Sequence, residues 1–182
     1  MSQQAFYFDG TRCTGCKTCQ MACKDYKNID LGISFRHVYE VTIGDTVKDA
    51  DGILTTTCVS YPLSMSCNHC DSPICFEKCP QSAIIKDADT GLMSIDEEKK
   101  KAVRCNGCAE RVAAGEKPVC VEACPARALD FGTAEEMAKM GERGNIAPLP
   151  DPSETTPNIF IKASADAQPV GAAEIANPLE VA

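Results

Sequence analysis

Twelve of the thirteen cysteines in this chain fall into three groups of four. The first group is Cys13-x2-Cys16-x2-Cys19-x3-Cys23, and the second is Cys67-x2-Cys70-x4-Cys75-x3-Cys79. The third is Cys105-x2-Cys108-x11-Cys120-x3-Cys124, and Pro80 and Pro125 follow the last cysteines of the second and third groups. Thiolate sulfur in such numbers is the ligand of soft metals and of iron–sulfur clusters. The first spacing is that of bacterial ferredoxins, and the other two are expanded versions of it. Two residues between thiolates let a tight loop wrap one corner of a cubane cluster. The fourth cysteine lies beyond a turn and points away, and in two-cluster ferredoxins it therefore ligates the other cluster. A proline after it fixes φ and removes a backbone donor, which holds that turn. The same run occurring three times marks a duplicated small unit.

Two other chemistries use paired cysteines. Zinc binds Cys-x2-Cys pairs, but four cysteines within eleven residues, in three versions with two Cys-Pro endings, favour clusters. Structural disulfides favour short secreted chains with an even count; this chain has 182 residues and an odd count. Met1 to Ala5 supply neither a basic nor an apolar leader, so no signal peptide is expected. No stretch reaches the roughly 18 apolar residues of a membrane span. A formal charge of −8 and a pI near 4.8 exclude an ordinary nucleic-acid binder. Aromatic residues make up only 5% and Trp is absent, which excludes a large aromatic-rich core.

The elements that must position these cysteines are short. Residues 5–9 read as a strand entering the first group, and residues 17–28 as a helix leaving it. Residues 34–43 and 53–61 alternate and are β-branched or aromatic, as in a hairpin around a loop from Gly44 to Gly52. Residues 83–86 and 92–95 predict two short strands joined at Asp89-Thr90-Gly91. A charged run from Asp96 to Lys101 leads to the third group, followed by a strand at 127–132. A helix from Thr133 to about Glu142 is expected, with Thr133 and Glu136 as its capping box. From Pro148 the chain turns rich in proline and small residues, and an extended tail over 148–182 that wraps a partner is expected.

Lys17, Lys24, Lys78, Arg104, Arg111 and Arg127 lie close in sequence to cluster cysteines. Cations so placed would offset cluster charge and raise the potential. Cys58 stands apart in a strand-like segment and reads as a small buried hydrophobe. His37 and His69 read as structural.

The segments RCTGCKTCQMACKDYK, SCNHCDSPICFEKCP and RCNGCAERVAAGEKPVCVEACPARALDFG resemble the iron–sulfur electron-transfer subunits of molybdopterin oxidoreductases, the type found in dimethyl sulfoxide reductase, nitrate reductase and formate dehydrogenase. PNIFIK and the late NP-LE-V in the tail resemble that family too, so the likeness covers nearly the whole chain. It implies an α+β fold of duplicated ferredoxin-like units with irregular cluster-binding loops. The tandem 4Fe–4S region would be 1–147, with interlocked units around 5–33/103–132 and 62–96. It also implies an exchange of ligands. Carried over, one cluster takes Cys13, Cys16, Cys19 and Cys124, and its partner takes Cys23, Cys105, Cys108 and Cys120.

The family has four cysteine motifs, and here one is missing, where Ile95 to Arg104 runs as a short link. Its loss removes the cysteine that would complete a cluster on Cys67, Cys70 and Cys75. The expectation is that Cys79, the leftover cysteine, completes it, giving three 4Fe–4S clusters; Cys58 is the other candidate, and a three-iron or empty site is the alternative. The resemblance implies a large catalytic partner with a molybdenum or tungsten bis-pterin cofactor, a reductase, dehydroxylase or transhydroxylase, as in anaerobic respiration. Its electron donor would be soluble or a membrane anchor. The compartment would be cytoplasmic, or reached by co-transport with a twin-arginine-signal partner. A freestanding polyferredoxin, a diffusible carrier, is the competing function.

Overall fold

The structure is a computed structural model describing residues 2–96, 98–99 and 103–181. In sequence order its elements begin with β1 (Gln4–Asp9), α1 (Thr18–Tyr26), β2 (His37–Ile43), β3 (Thr46–Lys48), β4 (Leu54–Thr56) and β5 (Val59–Met65). Then come α2 (Ile74–Glu77), β6 (Ile84–Lys86), β7 (Met93–Ile95), α3 (Ala109–Ala113) and α4 (Val119–Glu122). The last elements are β8 (Leu129–Thr133), α5 (Ala134–Ala138), β9 (Glu142–Arg143), β10 (Ile159–Lys162) and α6 (Pro178–Val181).

The organising sheet has the order β8-β1-β10-β9. β1 runs antiparallel to β8, with Phe6 opposite Phe131, and parallel to β10, with Phe6 opposite Ile159. Period-two alternation sorts β1 between two layers. Phe6 and Phe8 enter the main core with Leu129, Phe131, Ile159, Ile161 and the buried cysteines Cys19, Cys120 and Cys124. Ala5 and Tyr7 face the other side, where Met137 of α5 covers them. Cysteines of the first and third groups therefore lie against one face of this sheet, and α5 covers the other.

α5 carries the expected capping box: Thr133 Oγ1 accepts from the Glu136 amide, and Glu136 reaches back to the Thr133 amide at 2.9 Å. The helix is shorter than expected. At Gly141 the backbone presses against β10, where a Cβ would stand 2.7 Å from Ile161 backbone atoms, so the helix yields to β9.

The β2 hairpin also departs from expectation. Its partner is β5, in register from His37 opposite Met65 to Ile43 opposite Val59, not a strand over 53–61. Pro62 obscures β5 in the sequence, but a two-stranded sheet leaves each strand an edge where proline is tolerated. The intervening loop forms its own hairpin, β3 with β4. At Gly44, φ is +94° and a Cβ would lie 2.5 Å from the Thr57 carbonyl oxygen, so only glycine fits that crossing. β6 and β7 pair as expected, and Asp87 Oδ1 accepts from Thr90 and Asp89 in their turn.

The division at residue 148 does not hold. β10 is an inner strand of the main sheet, with Ile159, Phe160 and Ile161 buried. The rest of the tail also lies on its own chain: Asn177 bonds the backbone of Val38 and Glu40, and the Gln168 amide donates to the Tyr61 hydroxyl at 3.4 Å. Proline content hid a four-residue strand, three of its residues apolar and buried, whose hydrogen bonds come from β1 and β9. Within the expected charged link, Glu97, Lys100, Lys101 and Ala102 lie outside the described residues.

Candidate iron–sulfur sites

The opening Cys-x2-Cys loops of the three groups share one backbone device. Their third residues, Gly15, His69 and Gly107, have φ of 70°, 47° and 66°. This left-handed turn brings the flanking thiols round to one side, and glycine adopts it without strain. The two Cys-Pro turns match as closely. Cys79 Sγ accepts from the Ala83 amide at 3.4 Å, and Cys124 Sγ accepts from the Ala128 amide at 3.3 Å. Ser82 and Arg127, each three residues past the cysteine, have φ of 46° and 51°.

The structure brings Cys13, Cys16, Cys19 and Cys124 to the walls of one cleft, with Val38 and Leu129 beside them. Burial raises the Cys13 thiol pKa, and neighbouring Cys19, Cys124 and Cys16 push the same way. Cys16, the exposed member, is lowered by hydrogen bonds from Thr18. The second assembly draws on both ends of the sequence. Cys23 is pushed up to about 11 by burial and by Cys120 and Cys108. Cys105 is pushed up to about 12 by burial, with Cys120 adding to it. Packing of α1 against α4 makes this meeting possible, since those helices carry Cys23 and Cys120.

In the third assembly burial raises Cys70, beside Cys67 and Cys75. Arg104 donates to Cys67 Sγ at 2.8 Å and to Cys75 Sγ at 3.6 Å. The tail braces this loop. The buried Asn158 donates from Nδ2 to the His69 carbonyl at 2.9 Å and to Asp71 at 2.8 Å, and its amide bonds the Asn68 carbonyl at 2.9 Å. Cys79 is held apart among backbone amides, led by Ala83, which lower its thiol pKa. Cys58 is exposed, not the buried hydrophobe expected, because it sits where β4 hands over to β5 at the protein's edge.

Sequence proximity was a poor guide to the cations. Of the six expected near sulfur, Arg104 makes the hydrogen bonds to thiols described above. Lys24 instead caps the carbonyls of Asp30 and Ile33, Arg111 pairs with Glu116 and Glu122, and Arg127 donates to the Glu122 carbonyl. The cation missed from sequence is Arg36. It is fully buried, and the thiols whose ionisation would act on it most are Cys120, Cys19 and Cys105. Alternation offered a signal, because Arg36 shares the inward parity of the buried Val38. His69 is structural through Nδ1, which accepts from the Met93 amide at 2.8 Å, and burial lowers its pKa to about 3, so the ring is neutral.

The fit of a cluster can be tested on this geometry. Arg36 Nε, His69 Nε2 and Arg104 Nε are buried with no hydrogen-bond partner among the described residues. All three belong to side chains beside the cysteine assemblies, and cluster sulfur is the acceptor such donors need. Buried neutral thiols crowded together gain nothing from one another; as thiolates they require a positive iron core.

Comparison with known proteins agrees. Residues 58–104 and 92–134 match the 4Fe-4S dicluster domain family. The B subunit of the anaerobic dimethyl sulfoxide reductase of Escherichia coli is 42% identical over 99% of both sequences. This protein belongs to the family of dimethyl sulfoxide reductase B subunits. The corresponding subunit of Haemophilus influenzae is 41% identical over the full length of both. More distant is formate dehydrogenase 2 subunit beta of Nitratidesulfovibrio vulgaris, 25% identical over 77% of this chain and 81% of its own. Like these B subunits, this protein is an iron–sulfur electron-transfer subunit whose cofactors are 4Fe–4S clusters. The Escherichia coli alignment runs over 205 positions against 182 residues here, so that subunit carries residues this one lacks. No helix among the described residues is long and apolar enough to cross a membrane.

Proposed function

We propose that this protein relays electrons, through three 4Fe–4S clusters, to or from a large catalytic subunit carrying a molybdenum or tungsten bis-pterin cofactor. The observation that carries this reading is the interlock, in which Cys124 joins the first cysteine group and Cys23 joins the third. Cys13, Cys16, Cys19 and Cys124 would hold one cluster, and Cys23, Cys105, Cys108 and Cys120 its partner. Cys67, Cys70 and Cys75 would hold the third, completed by Cys79. Retention of Cys79 in the motif spacing of its group supports it over the exposed Cys58. Bound in these sites, each cluster takes up and releases one electron.

The protein's own contribution is placement and environment. The shared backbone turns aim the thiols, the sheet face excludes water, and Arg36 and Arg104 set the local charge. The repeated turns support two tandem ferredoxin-like units. The partner's reaction would be a reduction, dehydroxylation or transhydroxylation, and the complex would reside wherever that partner does. Co-purification with a large molybdenum- or tungsten-containing protein, whose turnover requires this subunit, tests the proposal. Recovery as a stable monomer in extract would instead favour a diffusible polyferredoxin. The tail does not separate these two readings, since it covers the protein's own sheet; family membership does.

A further inference from the structure

We propose that Arg36 is a shared counter-ion of the two interlocked sites, a positioning residue that raises the reduction potential of both clusters together. The inference rests on the iron–sulfur reading above. Arg36 is 1% exposed and is among the largest fully buried side chains. Its Nη1 donates to the Ser64 carbonyl and to Ser64 Oγ, each at 3.1 Å, and its Nη2 donates to Ser66 Oγ at 2.9 Å. The guanidinium carbon stands 5.0 Å from the centroid of the Phe6 ring. Every one of these partners is neutral, and among the described residues no carboxylate forms an ion pair with it.

A guanidinium stays charged in any protein environment. Burying it without an opposing charge is strongly unfavourable. The thiols coupled to its charge are Cys19, from the first assembly, and Cys120, Cys105 and Cys23, from the second. Ser64 Oγ, which accepts from Arg36, also lies 3.2 Å from Cys19 Sγ. Neutral thiols would leave the cation uncompensated, whereas thiolates on two clusters would supply the opposing charge. The fold thus couples one buried cation to two sites that each become more negative on reduction. In a region of low dielectric that cation favours the reduced state of both, with little screening by salt. The third assembly has its own cation, Arg104, bonded to Cys67 and Cys75.

The test uses the assembled complex with Arg36→Met, Arg36→Gln and Arg36→Lys. Iron is counted per polypeptide, and the clusters are titrated by paramagnetic resonance at controlled potential. With iron unchanged, the neutral variants should lower the reduced-to-oxidised ratio of both interlocked clusters at least tenfold at fixed potential, a shift of about 59 mV. Arg36→Lys should restore most of it, and the third cluster should move less. Unchanged potentials in fully loaded Arg36→Gln, or equal shifts at all three clusters, would overturn the proposal. So would loss of iron in all three variants, which would make Arg36 structural. An iron-free wild-type complex would defeat the underlying cluster reading instead.

Discussion

Phe6 joins the core to the sites, and replacing it separates packing from ring chemistry. Its ring is 1% exposed and meets Phe131 edge-on at 4.9 Å, His69 at 6.2 Å and the Arg36 guanidinium at 5.0 Å. Phe6→Leu keeps most of the volume but removes the π face. An aromatic pair contributes about 0.5–1.5 kcal/mol beyond area, and a desolvated cation–π contact about 2 kcal/mol. The expected loss is therefore roughly 2.5–3.5 kcal/mol, and Phe6→Ala, which adds a cavity, should lose about 3–5 kcal/mol or more. Because iron–sulfur proteins unfold irreversibly once the cluster is lost, the assay is the rate of bleaching near 400 nm in denaturant under anaerobic conditions. If the contacts are absent from the unfolding transition state, Phe6→Leu should bleach roughly 70- to 400-fold faster than wild type. A Phe6→Leu rate within about threefold of wild type, with Phe6→Ala much faster, would refute the role of the ring contacts and leave only volume.

The interlock predicts that Cys23→Ala alters the paramagnetic signature of the cluster on Cys105, Cys108 and Cys120, while Cys19→Ala alters the other; the reverse outcome would refute the ligand exchange. Asn158→Ala removes the buried brace of the third loop, and should cost about 1–3 kcal/mol and deplete the third cluster first, as read by iron content after mild heating. Thr133→Ala breaks the capping box of α5 and should cost about 1 kcal/mol in denaturant unfolding, with cluster potentials unchanged.

The cysteine groups were legible because their spacing is covalent: a loop of fixed length either reaches around a cluster or does not. The strand at β1, the α5 cap and the β6–β7 turn were legible for the same local reason. What the sequence concealed depends on contacts distant along the polypeptide. β5 was displaced by the bias against Pro62, which only a two-stranded sheet makes harmless. β10 lay hidden in proline-rich surroundings because its partners, β1 and β9, are remote or short. Arg36 was passed over because it stands well away in sequence from the cysteines it serves, whereas Lys24, Arg111 and Arg127 stood near and turned to carbonyls and carboxylates. Cys58 has the pattern of an inward strand residue, but the extra hairpin β3–β4 puts it at the edge.

Iron and acid-labile sulfide per polypeptide, measured on protein purified without oxygen, test the central claim most directly. Three cubane sites on twelve cysteines predict about twelve iron and twelve sulfide atoms. About eight of each would contradict the third site, and zinc with no labile sulfide would contradict the whole account.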